Sequence, residues 1–235
     1  MSRSKANKHN KKFHQNDVVD FKSYKRQREL KVLPRNLEQE DYLDLLENEN
    51  IPIVVAYGKA GTGKSFLACA YAAREYAAGK IDKIVITRPN ISVDDEGLGA
   101  LPGGILEKMA PWVAPVTDAL QELGYTRDEL VKMMEDAVIE VVPVAYLRGR
   151  TFRNAVVIGD EAQNLTKTAM LSFLTRIGEN SKMILTGDVS QSDRSRDNGL
   201  SLLISKANEA ESIGMLELKK VERHPVIEEV LRLFA

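Results

Sequence analysis

Eight consecutive residues, Gly58-Lys59-Ala60-Gly61-Thr62-Gly63-Lys64-Ser65, have the spacing G-x-x-x-x-G-K-[ST] of a polyphosphate cradle. Its glycines permit tight backbone angles and let N–H groups curl around phosphate oxygens. A helix starting near Gly63 adds its unpaired N–H groups and the positive end of its dipole. In that chemistry Lys64 reaches the β- and γ-phosphates, and the Ser65 hydroxyl binds Mg2+. The flanks suit the motif. IPIVVAYG (51–58) is a short apolar run bounded by Pro and Gly, and the Ala-rich FLACAYAAREYAA follows, ending at Gly79. The expectation is strand, loop, helix.

A second apolar run, NAVVIG (154–159), delivers Asp160 and Glu161. Alone, such a pair caps a helix as readily as it does chemistry. Together with a phosphate loop it reads as a hydrolytic pair: Asp160 holds Mg2+ through water or a neighbouring hydroxyl, and Glu161 polarises the attacking water. A third run, KMILTGD (182–188), ends in Thr186-Gly187-Asp188, with Gln191 three residues on. Gln191 is placed to contact the γ-phosphate or the water. Near the C-terminus Arg223 is a candidate for stabilising transition-state charge, although by residue type alone a surface arginine before a helix is the commoner reading. His224 reads as a cap or packing residue. No guanine-reading N-K-x-D motif is present, so the nucleotide expected is ATP.

These motifs need a scaffold that brings strand ends together. Leu37, Tyr42, Leu45 and Leu46 recur near a 3.6 period behind Asn36, a plausible N-cap with Gln39 at the capping-box spacing. KIVITRP (83–89) is one further buried strand, lying in sequence between the two motif strands. Residues 90–150 read as an insert: a Gly/Pro-rich loop, two helical stretches (105–123 and 128–136) and a β-like run at 138–150. Helices are expected from Thr166 to Ile177, at 199–211 and at 225–234, with a further run at 214–221. Alternating strands and helices specify an α/β fold, a parallel sheet with helices on both faces, here with an inserted, mostly helical segment. Ligands of such sheets bind at the carboxyl edge.

The chain has 235 residues, 43% apolar and 29% charged, an ordinary globular composition. Fifteen Gly, eight Pro and one Cys exclude collagenous and disulfide-scaffold classes. The lone Cys69 suits a reducing, cytoplasmic compartment. No apolar run approaches the ~18–20 residues of a membrane span, and the basic N-terminus lacks the apolar core of a secretory signal. The net charge of −1 hides a split. Ten basic and three acidic residues lie in 1–31, a charge of +7 against −8 for the remainder. Residues 1–31 therefore read as a flexible basic tail, and 32–235 as the folded domain. Such an arm can neutralise nucleic-acid phosphates or simply keep a terminus solvated.

The ordered set of motifs resembles the PhoH-like ATPases, relatives of superfamily-one helicases. It comprises Pro34-Arg35-Asn36-x-x-Gln39, the phosphate loop, Thr87-Arg88-Pro89, Gly97-Leu98-Gly99-x-Leu101-Pro102-Gly103, Tyr146-Leu147-Arg148-Gly149-Arg150-Thr151, Asp160-Glu161-Ala162-Gln163-Asn164, Thr186-Gly187-Asp188-x-x-Gln191 and Arg223-His224-Pro225. The resemblance covers about residues 32–232. It implies a RecA-like P-loop NTPase fold, binding and hydrolysis of ATP, and links to RNA metabolism. It assigns Gln39 to reading adenine, for which a carboxamide can donate to N7 and accept from the N6 amine, and raises Arg223 as a γ-phosphate contact. It also implies a homo-oligomeric, hexameric ring, since a single motor domain can move along a strand only against another copy. Arg148, Arg150, Arg194 and Arg196 are then alternatives to Arg223 for acting across an interface. Gly159 departs from the large aliphatic that the family carries before the acidic pair, which is expected to loosen that strand end. The function expected is Mg2+-dependent ATP hydrolysis coupled to single-stranded RNA or DNA. A regulatory or assembly module that does not translocate, and a phosphotransferase, are the alternatives.

Overall fold

The computed structural model describes Leu30, residues 32–89, 114, 116–192 and 197–222, with Val226 and Leu233. Six strands form one sheet: β1 (Ile53–Tyr57), β2 (Lys83–Thr87), β3 (Ile139–Val141), β4 (Ala155–Gly159), β5 (Lys182–Gly187) and β6 (Ile213–Glu217). Their order is β3-β2-β4-β5-β1-β6, and every pairing is parallel. Among the described residues the helices that bear on the sheet are α1 (Leu37–Glu47), α2 (Lys64–Ala77), α3 (helical residues 116–122), α4 (Arg127–Glu135), α5 (Lys167–Leu174) and α6 (Gly199–Lys206).

Strand residues alternate between two cores, as the period of two requires. Val54, Ala56, Ile84, Ile86, Val156, Ile158 and Ile184 pack with Tyr42 and Leu46 of α1, Leu67 and Ala68 of α2, and Leu120, Leu130 and Met133 of α3 and α4. Val55, Val85, Val157, Met183 and Leu185 face Met170 and Phe173 of α5 and Leu200 of α6. The sheet is covered on both faces, which is why its strands read as continuous apolar runs.

The strand interposed in space between β1, which carries the phosphate loop, and β4, which carries Asp160-Glu161, is β5. Three local expectations change. In sequence, both β2 and β3 fall between the two motif strands, so KIVITRP is not the one intervening strand. The run at 138–150 is a strand only over Ile139–Val141. Pro143, which has no N–H for a ladder, precedes a 3-10 turn at Val144–Leu147. The inserted segment thus supplies the edge strand β3 as well as helices. Leu37 is 76% exposed rather than in the core.

Helix ends follow local chemistry. Thr166 caps α5, accepting from the Ala169 N–H, and the helix stops at Leu174 rather than Ile177. α6 stops at Lys206 and tightens into a 3-10 turn at Ala207–Glu209. The basic tail, the Gly/Pro-rich loop, most of the helix expected at 105–123 and most of the C-terminal helix lie outside the described residues, as do Arg194, Arg196 and Arg223.

Candidate active site

The phosphate loop leaves β1 at Gly58 and enters α2 at Lys64, with Gly63 as N-cap at φ +90°. Two of its glycines are required by close approach. A Cβ on Gly58 would stand 2.0 Å from the Leu218 carbonyl oxygen, and one on Gly63 would stand 2.7 Å from Gln39 Nε2. The loop is held from behind. Gln39 Nε2 donates to the Thr62 carbonyl at 3.0 Å, the Glu222 N–H donates to the Gly61 carbonyl at 2.9 Å, and Lys64 Nζ donates to the carbonyls of Gly58 and Lys59, both at 2.7 Å. Thr62 Oγ1 donates to the Lys59 carbonyl at 3.1 Å, and Ala60 lines the cleft in front.

Gln39 is 4% exposed. Its Oε1 accepts from the Arg35 N–H, not from the N-cap Asn36, so the reciprocal half of the expected capping box is replaced by a brace between α1 and the loop. The Asn36 side chain does accept from the Gln39 N–H, and its Nδ2 donates to Glu222 at 2.7 Å.

Asp160 sits just past the end of β4, beside β5. Its Oδ1 accepts from Ser65 Oγ and from Thr186 Oγ1, both at 2.7 Å, and its Oδ2 accepts from Arg88 Nε at 3.0 Å and from Arg88 Nη2. Burial by itself would raise this carboxyl. The Arg88 charge and the hydrogen bonds from Thr186, Ser65 and Arg88 outweigh it and hold the carboxyl below its ordinary value. One turn beyond Ser65 on α2, the Cys69 thiol is pushed up to about 12, by burial first and by the Asp160 charge second. It packs as a small apolar group.

Glu161 follows in the left-handed region, φ +55°, at a cost of ~1–2 kcal/mol for a residue with a Cβ. Its carboxylate accepts from Gln163 Nε2 at 2.6 Å. The Asp188 side chain caps the 3-10 turn Val189–Gln191 that carries Gln191. Lys64 and Ser65, Asp160 and Glu161, and Asp188 and Gln191 line one cleft of about 250 Å3 at the carboxyl edge of the sheet. The three sequence motifs therefore converge, and the interposed β5 is what sets their spacing.

A hydroxyl and a carboxylate in contact suit a hard cation with oxygen ligands. No cluster of three or more His, Cys, Asp or Glu able to hold a metal occurs among the described residues. Ser65 and Asp160 fit magnesium shared with phosphate and water better than a metal caged by protein.

Arg150 pairs with Glu140 at 2.7 Å and stacks over Phe152. Arg148 makes no hydrogen bond or ion pair among the described residues and lines a separate cleft of about 400 Å3 with Pro89, Asn164 and Thr168. Residue-by-residue reading assigned no role to Arg88, Gln163, Thr186 or Glu222. The first three lie inside quoted motifs, so the signal was present. Glu222 carried none, because the partners through which it reaches the site, Gly61 and Asn36, are 161 and 186 residues away.

A sequence profile of the family described as PhoH-like protein matches residues 31–235. Protein PhoH of Escherichia coli K12 is 42% identical over 192 residues, 80% of this chain and 53% of that protein. The PhoH-like protein of Bacillus subtilis 168 is 40% identical over 205 residues, 85% of this chain and 63% of that protein. The PhoH-like protein of Mycobacterium tuberculosis H37Rv is 38% identical over 209 residues, 87% and 58% respectively. The chain thus spans between about half and two thirds of the length of these curated relatives. Among solved structures, the Pif1 helicase from Candida albicans aligns with 86% of this chain and 43% of its own, at 18% identity and a TM-score of 0.43.

Proposed function

The chain belongs to the family of PhoH-like proteins, and from that premise we propose that its P-loop domain binds ATP with Mg2+ and hydrolyses it. The observation that carries this reading is the convergence of Lys64, Ser65, Asp160, Glu161 and Gln191 on one cleft. Gly58, Lys59, Ala60, Gly61, Thr62 and Gly63 form the cradle. Lys64 turns from the loop carbonyls to the β- and γ-phosphates. Magnesium, when bound, would be held by Ser65, with Asp160 acting through water or that hydroxyl, and would supply charge neutralisation on the phosphates. Glu161 accepts a proton from water as its oxygen bonds to the γ-phosphorus and the bond to the β–γ bridging oxygen breaks, leaving ADP and phosphate. Gln191 orients that water, and Arg223 stabilises the charge that develops. Gln39, whose carboxamide has one N–H and one lone pair beyond its two bonds, contributes to adenine recognition.

Hydrolysis is coupled in this reading to single-stranded RNA or DNA, within a cytoplasmic homo-oligomeric ring. The +7 charge of residues 1–31 supports the nucleic-acid part of this reading. No helix among the described residues is long and apolar enough to cross a membrane.

The test is steady-state phosphate release from ATP, with and without single-stranded RNA and DNA. Glu161→Gln is expected to slow release at least ~100-fold, and Lys64→Ala to abolish it. Unchanged release in Lys64→Ala sinks the phosphate-loop assignment. Stimulation by a strand supports the coupled motor, and a rate indifferent to both supports the regulatory or assembly alternative.

A further inference from the structure

Gln163 is 1% exposed and lies between two of the motifs. Its carboxamide is used at both ends. Nε2 donates to Glu161 Oε2 at 2.6 Å, and Oε1 accepts the Asp188 N–H at 3.1 Å. The orientation of the amide is forced, because a carboxylate only accepts and a backbone N–H only donates. Among the described residues this is the sole hydrogen bond on the Glu161 side chain. The Gln163 carbonyl in turn accepts from Ser192 Oγ at 3.0 Å, Ser192 Oγ accepts from Asn198 Nδ2 at 2.7 Å, and Asn198 caps α6.

Gly187 makes room for this bridge. A Cβ there would stand 2.8 Å from Gln163 Oε1 and 3.2 Å from the Gln163 nitrogen. The glycine of Thr186-Gly187-Asp188 therefore admits the side chain that holds Glu161.

We propose that Gln163 is the positioning residue for Glu161, tying that carboxylate to the Asp188–Gln191 turn. The proposal rests on the reading of Glu161 as the group that activates water. Glu161 leaves β4 in the left-handed region and its side chain is exposed, so the neighbouring carboxamide is what fixes its direction. Because the same carboxamide grips the exit of β5, Glu161 and Gln191 are held in one relation, and displacement of the β5 exit is transmitted to Glu161.

Two variants separate the ends of the bridge. Gln163→Glu keeps an acceptor for the Asp188 N–H and removes the donor to Glu161. Gln163→Met keeps the volume and removes both. Each is measured in the full chain for kcat and KM of ATP and for affinity toward a non-hydrolysable ATP analogue. Both are expected to lower kcat at least ~10-fold while KM and analogue affinity stay within about threefold. If Gln163→Met fails to fold, Gln163→Glu decides alone. Turnover of Gln163→Glu within about twofold of the parent overturns the proposal, as does a loss of analogue affinity parallel to that of kcat, which marks a merely structural role. A Glu161→Gln control run beside them tells the two failures apart. If that control hydrolyses normally, the reading of Glu161 itself falls.

Discussion

Asp160 has every bonding direction of its carboxylate in use, with Ser65 and Thr186 on one oxygen and Arg88 on the other. Its folded value is depressed, so its contribution to stability is fully present above the unfolded value, about 3.9, and is lost as pH falls through the folded value. Asp160→Asn removes that contribution and leaves Arg88 without its partner. The variant is expected to unfold at lower urea than the parent at pH 6, and the gap should narrow as pH drops below about 4. Urea titrations by circular dichroism at both pH values check this, and a gap independent of pH contradicts it. Among the described residues, two buried hydroxyls, Tyr42 Oη and Thr87 Oγ1, have no hydrogen-bond partner.

At the scale of elements, Gly159 shows how packing overrides a local expectation. A glycine before the acidic pair suggests a loosened strand end. Instead Gly159 is paired on both sides, with Thr87 and with Leu185, and is buried. The space that a larger side chain would need is taken: a Cβ would stand 2.8 Å from Leu185 Cδ2 and 3.1 Å from Phe173 Cζ. Gly159→Val is expected to cost about 1–3 kcal/mol by overpacking. Phe173→Leu in the same chain should recover part of that, since contacting residues do not add independently. Urea unfolding of the two single variants and the double variant measures the coupling, and strict additivity would contradict it. A second device joins α1 to the exit of β6. Glu38 accepts the N–H groups of Lys219 and Lys220 at 2.7 and 2.9 Å, and Asn36 reaches Glu222, whose N–H holds the phosphate loop. Asn36→Ala loses an N-cap, worth about 1 kcal/mol, and also unties this clasp. It is expected to raise KM for ATP several-fold with little change in kcat. An unaltered KM would show that the clasp serves stability alone.

For the whole molecule, the divided charge is the feature with a functional consequence. The chain carries +7 in its first 31 residues and −8 in the rest, so its net positive charge is concentrated at one end. Removing residues 1–29 is expected to leave basal phosphate release within about twofold. It should weaken binding of single-stranded RNA and flatten the slope of log affinity against log salt, because fewer counterions are released. An unchanged slope in a fluorescence-anisotropy titration would move the nucleic-acid contacts onto the folded domain.

The sequence by itself determined what is local. The phosphate loop is contiguous, Asp160 and Glu161 are adjacent, and apolar runs alternate with helical periods, so the cradle, the acidic pair and a parallel α/β sheet all follow from neighbouring residues. Strand order was beyond it. That β5 lies between β1 and β4, which brings Thr186 onto Asp160 and Asp188 onto Gln163, depends on which apolar runs pair across the sheet, and buried parallel strands resemble one another too closely to reveal their neighbours. The bonds that tune the site likewise join residues far apart in the chain: Arg88 to Asp160, Glu222 to the phosphate loop, Gln39 to Thr62. Residue types state what each group can donate or accept. Only the packed sheet decides which partner stands within 3 Å of it.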